Sequence, residues 1–274
     1  MATMENQIKV GIVGCAGRMG QMLVTHFNAT DGCVIAGATE HAGHAVIGQD
    51  VGVIAGLGPL GVIVGDDAAH MIAVVDAVVD FTIPEATLEH ARLAAQAGAA
   101  IVIGTTGISD EQGEELARAA RHVPVVWAPN MSVGVTLLLA LTEQVARVLD
   151  DSFDIEILEM HHRHKVDSPS GTALGLGHAA AAGRNSELRD VKQAVRDGHT
   201  GERPVGEIGF ATLRGGDVVG DHTVIFAGDG ERIELSHKAA SRKVFAAGAV
   251  RATQWTIGAG PGLYSMRHVL GFES

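Results

Sequence analysis

Five short, largely apolar runs alternate with amphipathic stretches over the first 130 residues, and nothing else in the chain restricts its fold as much. IKVGIV (8–13), CVIAGAT (33–39), AVVDFT (77–82), AAIVIG (99–104) and VPVVWA (123–128) have the length and near-continuous apolarity of strands buried on both faces. Between them, RMGQMLVTHF (18–27), EATLEHARLAAQ (85–96, after Pro84) and SDEQGEELARAAR (109–121) show helical spacing. This alternation predicts a parallel sheet covered by helices on both faces. Abundant glycine and alanine with few aromatics suit such closely packed layers.

The pattern changes after APNMSVG (128–134). A helix is expected over 135–149, a longer strand over 153–162 and a second helix from about 170 to 182. Residues 184–206 are polar and punctuated by glycine and proline, as in an exposed loop. Residues 207–239 contain three strand-like runs separated by RGGD and GDGE, each read as a hairpin turn. From about Ala240 the chain reads as helical, then short and irregular. The fold class is therefore α/β: a dinucleotide-binding domain over 1–130, then an α+β domain over 131–240 with a mixed, largely antiparallel sheet.

Charge narrows the partners. With 20 basic and 32 acidic side chains the net charge is −12, which repels nucleic acid and anionic lipid surfaces. The longest uncharged run, 51–65, is broken by glycines and Pro59 and is shorter than the ~20 residues of a membrane span. The opening MATMENQIKV has no apolar run of signal-peptide length, and two cysteines exclude a disulfide scaffold. A soluble, cytoplasmic protein is expected. A small anionic substrate would need a local cationic pocket.

The first strand runs into Gly14-Cys15-Ala16-Gly17-Arg18-Met19-Gly20 and opens a helix. Glycines there bring the backbone close to a pyrophosphate at a helix N-terminus, and Glu40, at the end of the second strand, is placed to meet ribose hydroxyls. The middle glycine of the G-x-G-x-x-G pattern is replaced by Ala16. His41 follows the acid and is only partly charged near neutral pH. Gly104-Thr105-Thr106-Gly107 and Ala128-Pro129-Asn130-Met131 follow later strands, where loops line the ligand crevice of such sheets.

The densest cationic cluster is EMHHRHKVDSPSGT (159–172). His161 and His162, adjacent at a strand end, point to opposite faces and cannot both ligate one ion without distortion; with no Cys pair or His-Glu-x-x-His nearby, no metal is expected. The following Ser-Gly-Thr reads as a helix start, capped by Ser168 or Ser170, with the N–H groups of Ser170, Gly171 and Thr172 open to an anion. Beside them Lys165 and His162 hold carboxylates, and His161 or Lys165 handles a proton. Glu159 and Asp167 either orient the histidines or are surface acids, with surface acids favoured.

Together with Asp80-Phe81-Thr82, His199-Thr200-Gly201-Glu202-Arg203, Val219-Gly220-Asp221-His222 and His237-Lys238-Ala239-Ala240-Ser241-Arg242, this run resembles the 4-hydroxy-tetrahydrodipicolinate (dihydrodipicolinate) reductase family nearly end to end. The resemblance implies a Rossmann-like first domain to which 241–274 return, a homotetramer joined through the second domain, and domain closure over the ligands. It implies proton transfer by His161 and Lys165, and carboxylate binding by His162, Lys165, Ser170, Gly171 and Thr172. The glycine turn, Glu40, His41, the segments after Gly104 and Ala128, and Arg242 are implied to hold NADH or NADPH. NADH is favoured, because His41 stands where members that use NADPH well often carry Arg. A dehydrogenase acting on an open-chain amino acid has no need of the 159–172 cluster, and a non-catalytic nucleotide sensor would bind NADH without consuming it.

Overall fold

The computed structural model describes residues 7–273. In chain order the elements are β1 (Ile8–Val13), α1 (Arg18–Asn28), β2 (Cys33–Thr39), α2 (Val51–Ile54), α3 (Ala68–Ile72), β3 (Ala77–Asp80), α4 (Pro84–Ala97), β4 (Ala100–Ile103), α5 (Asp110–Ala119) and β5 (Pro124–Trp127). Then follow α6 (Val133–Val148), β6 (Asp154–His161), α7 (Gly171–Gly183), α8 (Leu188–Val191), β7 (Lys192–Gln193), β8 (Ile208–Arg214), β9 (Gly220–Gly228), β10 (Glu231–Ala239), α9 (Lys243–Thr256), β11 (Gly262–Tyr264) and α10 (Met266–Val269). They form two compact units, one running to Ser132 and resuming at Lys243, the other spanning Val133–Arg242.

The first unit is built on a six-stranded sheet of order β11-β5-β4-β3-β1-β2, parallel throughout. Every residue of β3 and β4 is buried, as runs covered on both faces require. Its helices carry local signals: Pro84 opens α4, left-handed Gly98 closes it, and Ser109 with Gln112 forms a capping box on α5. Helix α9 packs against α1, and a Cβ on Gly248 would fall 1.7 Å from the Met131 carbonyl oxygen. The tail is less irregular than its sequence suggests, since β11 adds a strand beside β5. The uncharged 51–65 run contains α2 and a bridge from Asp50 to Ile63, and the Asp50 carboxylate gathers the N–H groups of Gly52, Leu60 and Gly61.

The second unit holds a mixed five-stranded sheet of order β10-β9-β6-β8-β7. GDGE does close a hairpin, with Asp229 and Gly230 between β9 and β10 and Gly230 at φ +84°. RGGD does not. β8 and β9 both pair with β6, one parallel and one antiparallel, so the segment after Arg214 crosses the end of β6 instead of folding back. There Gly215 N–H donates to the His161 carbonyl and Arg163 N–H to that of Gly216. The polar 184–206 stretch contains α8 and β7, and its Arg203 is anchored to Asp154, Glu156 and the carbonyls of Ile155 and Glu207.

Candidate active site

In the first unit, β1 runs into a turn where Gly14 has φ +65°, which glycine adopts without a Cβ clash. A Cβ on Gly14 would lie 2.7 Å from Thr82 Cγ2, and one on Gly20 only 2.2 Å from the Gly14 carbonyl oxygen. Helix α1 thus approaches the turn more closely than a side chain allows, forming the cradle that a pyrophosphate fits. Within the turn, Cys15 N–H donates to the Thr39 carbonyl, Ala16 N–H to Glu40 Oε1 at 3.1 Å, and Gly17 N–H to the Gly14 carbonyl. These three N–H groups have partners within the protein. Because α1 starts without a side-chain cap, the first-turn N–H groups at Arg18 and Met19 are those placed for an anion. The Cys15 thiol is a packing group: burial, and then the charge of Glu40, push its pKa up to about 12.

Glu40 also accepts the His41 N–H at 3.2 Å, so its carboxylate is fixed at the rim of the turn. It lines a cavity of about 410 Å³ with Gly14, Gly17, His41, Asp66, Thr82 and His90. A larger groove of about 640 Å³ between α4 and α5 contains none of the expected site residues. Glu40, His41 and His44 present ligand atoms within 4.8 Å of one another. Their lone pairs are partly committed, however: both Glu40 oxygens accept backbone N–H groups and His44 Nδ1 accepts that of Val46, so the trio is read as a loop-stabilising cluster.

The later loops divide. Gly104 is required by Phe81, whose ring would stand 2.2 Å from a Cβ there. Thr105 is buried, accepting from Thr82 N–H and Thr87 Oγ1 and donating to Asp80, while Thr106 is exposed. Buried Asp80 also takes Thr82 Oγ1 and His90 Nδ1, tying the ends of β3 and β4 together. Ala128 and Met131 are buried, Pro129 is exposed, and Asn130 Oδ1 accepts the Ser132 N–H. The Met131 side chain belongs to the core. Arg242 closes the second unit, where its charge acts on His162.

In the second unit β6 alternates inward and outward, and Ile155, Ile157, Glu159 and His161 share the buried face. Glu159 is 1% exposed. Its carboxylate binds His161 Nδ1 at 2.6 Å, Arg214 Nη1 and Nη2 at 2.8 and 3.0 Å, and the Ser170 N–H at 3.1 Å. Burial works to raise its pKa, but the Arg214, His161 and Ser170 hydrogen bonds outweigh this and hold it below the usual glutamate value. Two expectations are corrected here. Glu159 is no surface acid, and the Ser170 N–H is not open to a ligand. Asp167 is exposed, as favoured, and pairs with Lys165 Nζ at 2.7 and 2.8 Å.

Ser170 caps α7, its hydroxyl accepting the Ala173 N–H and meeting His222 Nε2 at 3.0 Å. Ser170 thus has its N–H and hydroxyl engaged within the protein, while Gly171 is exposed with nothing within 4 Å of a Cβ position and Thr172 is half-buried. His162 lies just past the strand, half-buried, its pKa lowered by burial and then by the charges of Arg242 and His164. The structure brings His161, His162, Lys165 and the α7 start into one unit and adds Glu159, Arg214 and His222.

Sequence reading missed His222, although G-D-H-T-V-I-F places it on the same inward face as Val224 and Phe226. Burial, and then the charge of His161, lower its pKa to about 4. Unfolded histidine titrates near 6.5, so between these values the unfolded chain binds more protons. His222 therefore adds stability that is complete above 6.5 and is lost as pH falls towards 4, by about 3 kcal/mol in all. Denaturant unfolding between pH 7 and 4.5 is expected to show a shallower acid decline in His222→Gln than in wild type.

A glycine-turn sheet with an acid at its second strand, joined to a unit bearing a histidine–lysine cluster, defines the class of dinucleotide-dependent oxidoreductases. Family models for the N-terminal and C-terminal parts of dihydrodipicolinate reductase match residues 8–131 and 134–270, and the chain belongs to that family. It is 54% identical over 266 residues to a 4-hydroxy-tetrahydrodipicolinate reductase of Magnetococcus marinus, covering 97% of this chain and 99% of the relative. A second such reductase, from Mesorhizobium japonicum, is 56% identical over 263 residues, covering 96% of each. Among solved structures, a dipicolinate-bound dihydrodipicolinate reductase from Paenisporosarcina sp. TG-14 superposes with TM-score 0.75 at 25% identity, over 94% of this chain and 97% of that one.

Proposed function

We propose that the chain reduces 4-hydroxy-tetrahydrodipicolinate, with loss of water, to tetrahydrodipicolinate in the diaminopimelate route to lysine, using NADH in preference to NADPH. The observation that carries this reading is the cluster of His161, His162, Lys165 and the Gly171–Thr172 helix start in a chain whose net charge is −12. A dicarboxylate ring needs such a cationic island. It also agrees with the relatives' activity and with the dipicolinate bound in the Paenisporosarcina protein.

A bound reduced nicotinamide would supply the hydride, held by the α1 start, Glu40 and His41. The second unit's residues manage the rest. Loss of water leaves a conjugated ring, and as hydride adds, the displaced electron pair moves through that system and is balanced by one proton. His161 acts as the imidazolium: with Nδ1–H held by Glu159, it delivers that proton from Nε2 and is left as the neutral Nδ1–H ring, while Lys165 neutralises the developing negative charge. Lys165 exchanges exposed Asp167 for a substrate carboxylate. His162, Gly171 and Thr172 complete the carboxylate contacts.

We assign the protein to the cytoplasm and to a homotetramer built on the second unit. The outward face of its sheet leaves Leu158, Met160 and Ile225 half-exposed and Leu213 exposed, an apolar surface suited to a partner copy. The test of function is a coupled assay in which the preceding synthase makes substrate from pyruvate and aspartate semialdehyde, with NADH and NADPH supplied separately. Consumption of neither would contradict the proposal. In the same assay His41→Arg is expected to raise efficiency with NADPH relative to NADH, since a permanent, forked cation meets the additional phosphate better than an imidazole. An unchanged ratio would place residue 41 away from that phosphate.

A further inference from the structure

We propose that Glu159 is a positioning residue that fixes the tautomer and proton affinity of His161, and that Arg214 limits how strongly it does so. This rests on the assignment of His161 to proton transfer. Glu159 lies two residues before His161 on the same inward face of β6, and its carboxylate reaches His161 Nδ1 at 2.6 Å. An ionised carboxylate only accepts hydrogen bonds, so Nδ1 keeps a proton in both charge states and Nε2 is the nitrogen that takes up and delivers the second one. Gly220 provides the room: a Cβ there would stand 3.0 Å from His161 Nε2.

The other groups facing this pair give each variant a sign. Arg214 from β8 takes both Glu159 oxygens, and the Ser170 N–H at the α7 start takes Oε1. His222 from β9 stands with its ring 5.0 Å from that of His161, and His237 of β10 lies opposite His222 in the strand register. His222 Nδ1 and His237 Nδ1 are buried without a hydrogen-bond partner, so neither ring competes for the carboxylate through that atom. His162 and Lys165 follow on the segment after β6. Among the described residues Glu159 is thus the one anion hydrogen-bonded to His161, and Arg214 is the cation that draws part of its charge away.

The test is a pH titration of the His161 ring by NMR in the full chain labelled at histidine, its signal identified by its loss in His161→Asn. Wild type is expected to show the Nδ1–H tautomer. Glu159→Gln removes the anion and leaves Arg214, so the NMR titration of the His161 ring moves to lower pH than in wild type. Arg214→Gln frees the anion, so the pKa rises. Opposite shifts establish the assignment, and unmoved titrations in both variants overturn it. If Glu159→Gln fails to fold, the sign of the Arg214→Gln shift decides alone. Turnover is read in parallel: kcat of Glu159→Gln is expected to drop about 10²-fold, with the NADH dissociation constant unchanged. Opposite NMR shifts with normal turnover would leave Glu159 as the positioning group and remove His161 from the proton step.

Discussion

His161→Ala is expected to lower kcat by about 10²–10⁴-fold while NADH binds as in wild type, because a positioned proton donor contributes that much and the residue lies in the second unit. The loss falls on kcat and kcat/KM together, since the proton moves only as the transition state forms. Lys165→Ala is expected to differ in kind. Lys165 both holds a carboxylate and offsets developing charge, so KM for the cyclic substrate rises while kcat falls. Steady-state kinetics with calorimetric titration of NADH separates the two patterns. Full turnover in His161→Ala would remove it from the proton step.

Gly20→Ala is expected to damage the first unit where the cofactor fits. The new Cβ would stand 2.2 Å from the Gly14 carbonyl oxygen and 2.7 Å from Cys15 backbone atoms, so α1 must withdraw or the turn must open. Overpacking of this kind costs about 1–3 kcal/mol of stability. Displacing the helix start from the phosphates is expected to weaken NADH at least about tenfold, equivalent to about 1.4 kcal/mol. Gly17→Ala is the control. It meets only the Gly14 carbonyl, at 3.3 Å, from an extended backbone any residue adopts, and should be far milder. Thermal unfolding and NADH titration of both variants check the contrast, and equal behaviour would show that the approach of α1 does not matter.

What could be read in the chain follows from how local each signal is. β2 occupies 33–39 as read, because an apolar run with a turn at each end admits few other readings. β11 is not legible, since three residues at the edge of a sheet, paired with β5, carry no period of their own. RGGD has the composition of a hairpin, but composition cannot tell which strand its neighbours pair with; β6, far away in sequence, takes both β8 and β9. In the site, His161 and Lys165 stand out as residue types. Glu159 reads as a surface acid because acids are usually exposed. The alternation Ile155, Ile157, Glu159, His161 nevertheless carried the warning, by placing the acid in line with two buried isoleucines. Arg214, which makes that burial tolerable, is 55 residues away and only the register of β6 with β8 brings it near.

The central claim, that the second unit's cationic cluster receives a ring bearing two carboxylates, is tested most directly by a crystal structure of the protein with pyridine-2,6-dicarboxylate. The ring is expected against His162, Lys165 and the Gly171–Thr172 helix start, with Lys165 released from Asp167. A ring bound elsewhere, with Lys165 still paired to Asp167, would contradict it.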